Sequence, residues 1–378
     1  ALNEDSGDYP IGSNLSALGS DITPAESIPA IPPLILTLQS PSVGGWVELG
    51  RTTLESAGDT ITVSGLADKR YYMLLRNNFN SGAVRTGLRL GNGSIDTGNN
   101  YANTRSNIGG SDVTNTSTNR IVGDEDGAVI DFNVEYLANL SGEEKLILRH
   151  QVTQETAGAG NAPRRTEMVA KWSNTSNPIN TIQSINTESG SFDTNSEIVV
   201  LGWDPTDTHT TNFWEELASV NTGAGEVLDS GTFASKKYLW FQFDIVVDTF
   251  NNTNATIRFN SDQNGNYARR LSQNGMATDN TATGQTHMTF TYSGGKRVFG
   301  NYFVINNSSN DKLAIGHTNA IGTAANSTSE GAGVAPRRVE VVGKWANTSS
   351  QITQIEVLDT AQGDLGLTSG TIKVWGSD

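Results

Sequence analysis

The sequence predicts an all-β chain: two tandem homologous β-sandwich (jelly-roll-like) domains preceded by an extended N-terminal arm. Three observations predict it. A long block is written twice, GAGNAPRRTEMVAKWSNTS over Gly158–Ser176 and GAGVAPRRVEVVGKWANTS over Gly331–Ser349, matched position by position without a gap. Self-similarity over such a length marks a duplicated structural unit. Hydrophobicity inside each copy has period two: Thr60-Ile61-Thr62-Val63-Ser64 and Arg338-Val339-Glu340-Val341 alternate polar with apolar, as a half-buried strand must. Finally, 40 glycines and many Asn, Ser and Thr residues punctuate these runs, giving roughly eight strands per unit joined by turns. Amphipathic helices are not indicated; Trp214 to Val220 suits one or two helical turns at most.

Taken in order, residues 1–42 belong to neither copy. They begin ALNEDS, without a basic leader or an initiator Met, which suits a processed or mature-numbered chain. The segment Ile28–Leu38 (IPAIPPLILTL) is too short for a bilayer and is broken by Pro29, Pro32 and Pro33. Apolar residues on a polar arm, here Ile28, Ile31, Leu34, Ile35 and Leu36, suit ordering against a neighbouring subunit by strand addition or groove burial. A flexible tether is the competing reading.

The first sandwich is expected over 43–205 and the second over 206–378. Trp46-Val47-Glu48-Leu49 matches Trp214-Glu215-Glu216-Leu217, and Asn100-Tyr101-Ala102 matches Asn266-Tyr267-Ala268. KLILRH, ending at His150, matches KLAIGH, ending at His317. The junction, Trp203 to Thr208, is short, so the two domains should sit close together. Tyr238–Val247 (YLWFQFDIVV) reads as a buried strand.

Residues shared by both copies are first of all those the fold needs. Trp46, Trp214, Trp172 and Trp345 are expected in the repeat cores, where a tryptophan buries a large apolar area. Arg165 and Arg338, from the repeated Pro-Arg-Arg step, suit ion pairs across the sheet or between subunits. Asn174-Thr175-Ser176 and Asn347-Thr348-Ser349 suit side-chain-capped turns. His150 and His317 read as structural, because no His-x-x-x-His spacing or Ser/His/Asp set accompanies them. No metal site is therefore assigned. A structural calcium ion at Asp124-Glu125-Asp126-Gly127 or Asp204-Pro205-Thr206-Asp207 competes with plain solvated turns. Tyr101, Tyr267 and Arg270, in equivalent loops, are the ligand-binding candidates: exposed tyrosines there would stack on sugars, against the alternative of internal packing.

Composition narrows the function classes. Twenty-five Lys and Arg against 40 Asp and Glu give a net charge of −15, which opposes nucleic-acid binding. Zero cysteines exclude disulfides, thiolate catalysis and cysteine-ligated zinc. No residue set spells out a reaction, so a non-enzymatic role is expected and no cofactor is assigned.

The segments Gly45–Leu75, Asn100–Ala102, Gly158–Ser176 and Ser196–Pro205 together resemble a β-sandwich module of virion proteins from marine tailed phages and related environmental viruses. The resemblance covers residues 43–378, with the module present twice. It implies a non-enzymatic virion protein on the particle surface, such as a capsid decoration or a head or tail fibre. Its partners would be further copies of itself, with a trimer favoured, and other virion proteins, without nucleic acid or membrane insertion. A double jelly-roll major capsid protein and a carbohydrate- or receptor-binding adhesin that contacts host glycans are the alternatives.

Overall fold

The computed structural model describes residues 42–43, 45–127, 129–209, 211–247, 255–290, 297–321, 332–333, 335–359 and 366–378. The arm residues Ile28, Ile31, Leu34, Ile35 and Leu36 lie outside the described residues. The described chain holds two sandwiches of one design, each an eight-stranded sheet facing a four-stranded one. In the first repeat the large sheet runs, edge to edge, Val47–Thr53, Glu197–Trp203, Tyr71–Phe79, Ile130–Ala138, Lys145–Thr153, Arg164–Trp172, Tyr101–Asn107, Val113–Thr118. Its small sheet runs Thr60–Ser64, Thr181–Ile185, Gly87–Asn92, Ser94–Ile95. The second repeat reproduces the large order as Glu215–Thr222, Leu367–Ser377, Tyr238–Val247, Arg297–Ile305, Lys312–Ile321, Arg337–Trp345, Tyr267–Gln273, Asn280–Gln285. Its small sheet is Val227–Asp229, Ile355–Asp359, Ala255–Phe259, Met288–Thr289. Every pairing is antiparallel. The segment that suited one or two helical turns at most, Trp214 to Val220, instead enters the edge strand Glu215–Thr222, paired with Leu367–Ser377. A lone helical turn makes too few hydrogen bonds to compete with a ladder.

Each sandwich has its own core, and a third core lies between them. Tyr72 and Leu74 point into the first sandwich, whereas their neighbours Met73 and Leu75 point out of it, towards the second. There Met73, Leu75, Phe132, Val134 and Val152 of the first large sheet pack on Tyr238, Phe303, Leu313, Ile315 and Val342 of the second. The two sandwiches together are therefore four layers deep, small–large–large–small. Large-sheet strands such as Tyr71–Phe79 are buried on both faces, as in sheets covered on both sides.

The two inner cores differ at matching positions. In the first, Arg76 Nε donates to Glu135 Oε1 at 2.7 Å, and Arg149 Nε lies 3.1 Å from the same oxygen, all three side chains 0% exposed. By strand register the second repeat places Phe243, Tyr302 and Gly316 there. Phe243 and Tyr302 stack with centroids 6.0 Å apart. Gly316 is needed because a Cβ there would come within 2.0 Å of the Tyr302 ring. One architecture thus tolerates an ionic filling in one copy and an aromatic filling in the other.

Glu197 ties the repeats at their junction. Its carboxylate accepts from Thr53 Oγ1 (2.5 Å) within the first repeat, and from Lys237 Nζ (2.8 Å) and Tyr238 OH (2.6 Å) in the second. Burial pushes this carboxyl up, but the bonds from Lys237, Thr53 and Tyr238 outweigh it and leave the group below its ordinary range. A depressed carboxyl contributes stability that is complete above its unfolded pKa, about 4.3, and lost as pH falls through the folded value. The urea midpoint is expected to drop between pH 6 and pH 3, and Glu197→Gln should flatten part of that slope. An unchanged slope in the variant would show that Glu197 does not contribute to it.

Candidate functional site at the seam between the repeats

Tyr101 and Tyr267 are not exposed. They are 1% and 0% accessible and stack on Trp172 and Trp345, with centroids 6.5 and 6.4 Å away. Tyr101 OH accepts from Leu90 N–H at 3.0 Å and donates to Asp96 O at 2.9 Å. Tyr267 OH accepts from Phe259 N–H at 2.9 Å. The loop before each is built alike: Trp172 Nε1 donates to Asp96 and Trp345 Nε1 to Asp262, both at 2.7 Å, and Asn100 and Asn266 donate to the same aspartates at 2.8 Å. These tyrosines are paired because both cores need them, so the sugar-stacking expectation is corrected to internal packing. Arg270 donates to Pro163 O at 2.8 Å and lines a different, open cleft with Glu155 and Arg164.

Trp172 and Trp345 lie in the inner cores as expected. Trp214 belongs instead to the core between the repeats, and Trp46 is half-buried at its margin. Arg338 departs from expectation: its side chain is 63% exposed and, among the described residues, pairs locally with Glu340 at 3.1 Å. Arg165 is buried and spans the seam, donating twice to Asp279 (3.1 and 2.9 Å), with Glu167 at 2.7 Å and Glu340 at 3.5 Å. The repeated arginine serves as a bridge in one copy only, because the two large sheets do not meet through matching halves. Asn174 and Asn347 do cap their turns, each Oδ1 accepting two backbone N–H groups.

The acid-rich loops are internally engaged. Asp124 accepts from Arg105 Nε at 2.7 Å, Asp204 from Thr206, and Asp207 pairs with Lys69 at 2.5 Å. The side chains of Glu125 and Asp126 lie outside the described residues.

The seam also collects what the sequence kept apart. His150 pairs in the ladder with Glu167, and His317 with Glu340, so each large sheet presents a His–Glu pair at the same place. The two imidazoles meet edge to face, centroids 4.4 Å apart. One nitrogen of each and an oxygen of Glu167 lie within 4.8 Å of one another, the one such grouping among the described residues. Burial, then His317 and Arg165, push His150 down to about 3, and burial lowers His317, so both rings are neutral at ordinary pH. Burial and the neighbouring Glu167 raise Glu340. Beside the cluster opens a charged cleft of about 470 Å³ whose lining includes Asp112, Arg165, Glu167, Arg338 and Glu340. Sequence reading treated the two histidines singly. The available signal was that the duplicated strands carry both a His and a Glu at matching positions.

A second feature is apolar. On the outward face of the first large sheet, Leu146, Leu148 and Val169 are 58, 52 and 53% exposed. Next to them Trp46, Tyr71, Tyr136 and Trp203 line a groove of about 480 Å³, and Trp203 Nε1 is buried without an acceptor. Their counterparts Leu313, Ile315 and Val342 in the second repeat are at most 3% exposed, covered by the first repeat.

No family model matches this chain, and no curated protein matches it. Among solved structures, mouse laminin α1 chain domains LG4–5 are similar at 8% identity over 87% of this chain and 89% of that one, with a TM-score of 0.17. A likeness of that size carries no argument about fold or function.

Proposed function

We propose that this chain is a non-enzymatic structural protein that assembles with copies of itself, as an exposed component of a virion shell or fibre. One observation supports the assembly reading above the others: the uncovered face at Leu146, Leu148 and Val169 is the same face that the second repeat buries completely. The contact between repeats is head-to-tail, one half of the first large sheet on the opposite half of the second. Such a heterologous contact leaves one half-face free at each end. The free end on the first repeat is apolar; the free end on the second carries Phe299 and Ile321, 46 and 40% exposed, beside the Arg297–Asp244 pair. A second copy continuing the series would join these two ends, and closure of the series gives a ring such as a trimer. The virion setting draws on the resemblance of the sandwich module.

Sedimentation of the full chain is expected to show a concentration-dependent oligomer. Leu146→Glu with Leu148→Glu should shift it to monomer by at least tenfold in dissociation constant, since two half-exposed leucines lose apolar burial and gain charge. A monomer at millimolar concentration, or an oligomer indifferent to both changes, would sink the assembly reading. The copy number in purified particles, by mass spectrometry, tests the virion setting.

A further inference from the structure

The His150–His317–Glu167 cluster has no role in the assembly reading, and its chemistry is specific. Each repeat delivers one imidazole from the same strand position, and the ladder sets Glu167 opposite His150. A small cavity of about 10 Å³ lies among them, also lined by Arg165 and Val342. That is about the space of one small sphere. His150 Nδ1 is out of solvent and without a hydrogen-bond partner, and leaving a buried polar nitrogen orphaned costs about 1–3 kcal/mol. Two neutral imidazoles and a carboxylate form the donor set that zinc-class ions favour.

We propose that His150, His317 and Glu167 bind one divalent transition-metal ion of the zinc class, which clamps the first repeat to the second. Donor atoms around a tetrahedral zinc at about 2.0–2.2 Å stand about 3.3–3.6 Å apart. The present separations, within 4.8 Å, close to that by side-chain rotation. Glu167 exchanges its contact with Arg165 for the metal, while Arg165 keeps both bonds to Asp279. Water from the adjoining cleft would complete the coordination. The bound ion satisfies the orphaned nitrogen and leaves the neutral rings undisturbed.

The test uses the untagged full chain, stripped with a chelator and titrated with Co2+ and then with Zn2+. The expected result is one Co2+ per chain with visible d–d absorption of a low-symmetry nitrogen–oxygen site, displaced by Zn2+. Thermal unfolding should rise with Zn2+ concentration, as for any ligand that binds only the folded state. His317→Gln and Glu167→Gln should each weaken Co2+ binding at least tenfold. Glu167→Gln keeps the buried rings intact, so it serves if the histidine variant fails to fold, judged by circular dichroism. Absence of stoichiometric Co2+ binding below about 100 µM, or binding unchanged in Glu167→Gln, would overturn the site.

Discussion

Glu135→Gln is expected to destabilise the chain by about 3–5 kcal/mol, because it leaves two buried guanidinium groups without their counter-charge. Arg76 and Arg149 are both 0% exposed, and Arg149 has no aligned hydrogen bond from any of its nitrogens. Burial pushes Arg149 down to about 10, still charged at neutral pH. Burial raises Glu135, but Arg149 and Arg76 outweigh it and hold the carboxyl below its ordinary range. Its contribution is therefore present above the unfolded pKa of about 4.3 and fades as pH falls through the folded value. Guanidinium chloride denaturation at pH 7 measures the loss. The duplication supplies its own rescue, since the second repeat fills the same positions with Phe243, Gly300, Tyr302 and Gly316. Arg76→Phe, Asn133→Gly, Glu135→Tyr and Arg149→Gly together should restore wild-type stability or exceed it, by up to about 4 kcal/mol, as apolar replacements of buried ion networks do. A single change without cost, or a combined variant no better than Glu135→Gln, would refute the ionic account of this core.

The second large effect separates the two copies of one motif. Arg165→Met should cost about 3–5 kcal/mol, since Asp279, 0% exposed, loses two hydrogen bonds and its paired charge. Arg165→Lys should recover only part of this, because an ammonium cannot reproduce the bidentate fork. Arg338→Met, at the matching position of the second copy, should stay within about 0.5 kcal/mol, as an exposed side chain with a local partner does. Equal losses at both arginines would mean that Arg165 does not act as a bridge between the repeats.

Reading the sequence recovered the duplication, the strand content and the tryptophans at Trp172 and Trp345, since period-two alternation and a repeated block are local signals. It also paired Tyr101 with Tyr267 correctly and set internal packing beside sugar stacking as the reason for their retention; their burial decides for packing. Exposure cannot be read from residue type when a tyrosine at the start of a strand points inward to reach Leu90 or Phe259. Arg165 and Arg338 looked equivalent because the block around them is. The difference arises from which half of each sheet is covered, and no local pattern encodes that. His150 and His317 read as isolated for a related reason: their partners are one ladder step, or one sheet layer, away in space.

By itself, then, the chain's pattern determined two copies of one all-strand unit with apolar inner faces, because alternation and turn chemistry act over a few residues. Only the tertiary structure decided that the two large sheets pack back to back, out of register by half a face. That offset buries Arg165 and Ile315, exposes Arg338 and Leu148, and brings the two imidazoles together. Its physical cause is non-local: apolar outer faces cover one another wherever their shapes and charges match, and that match is a property of surfaces formed only after each sandwich has folded.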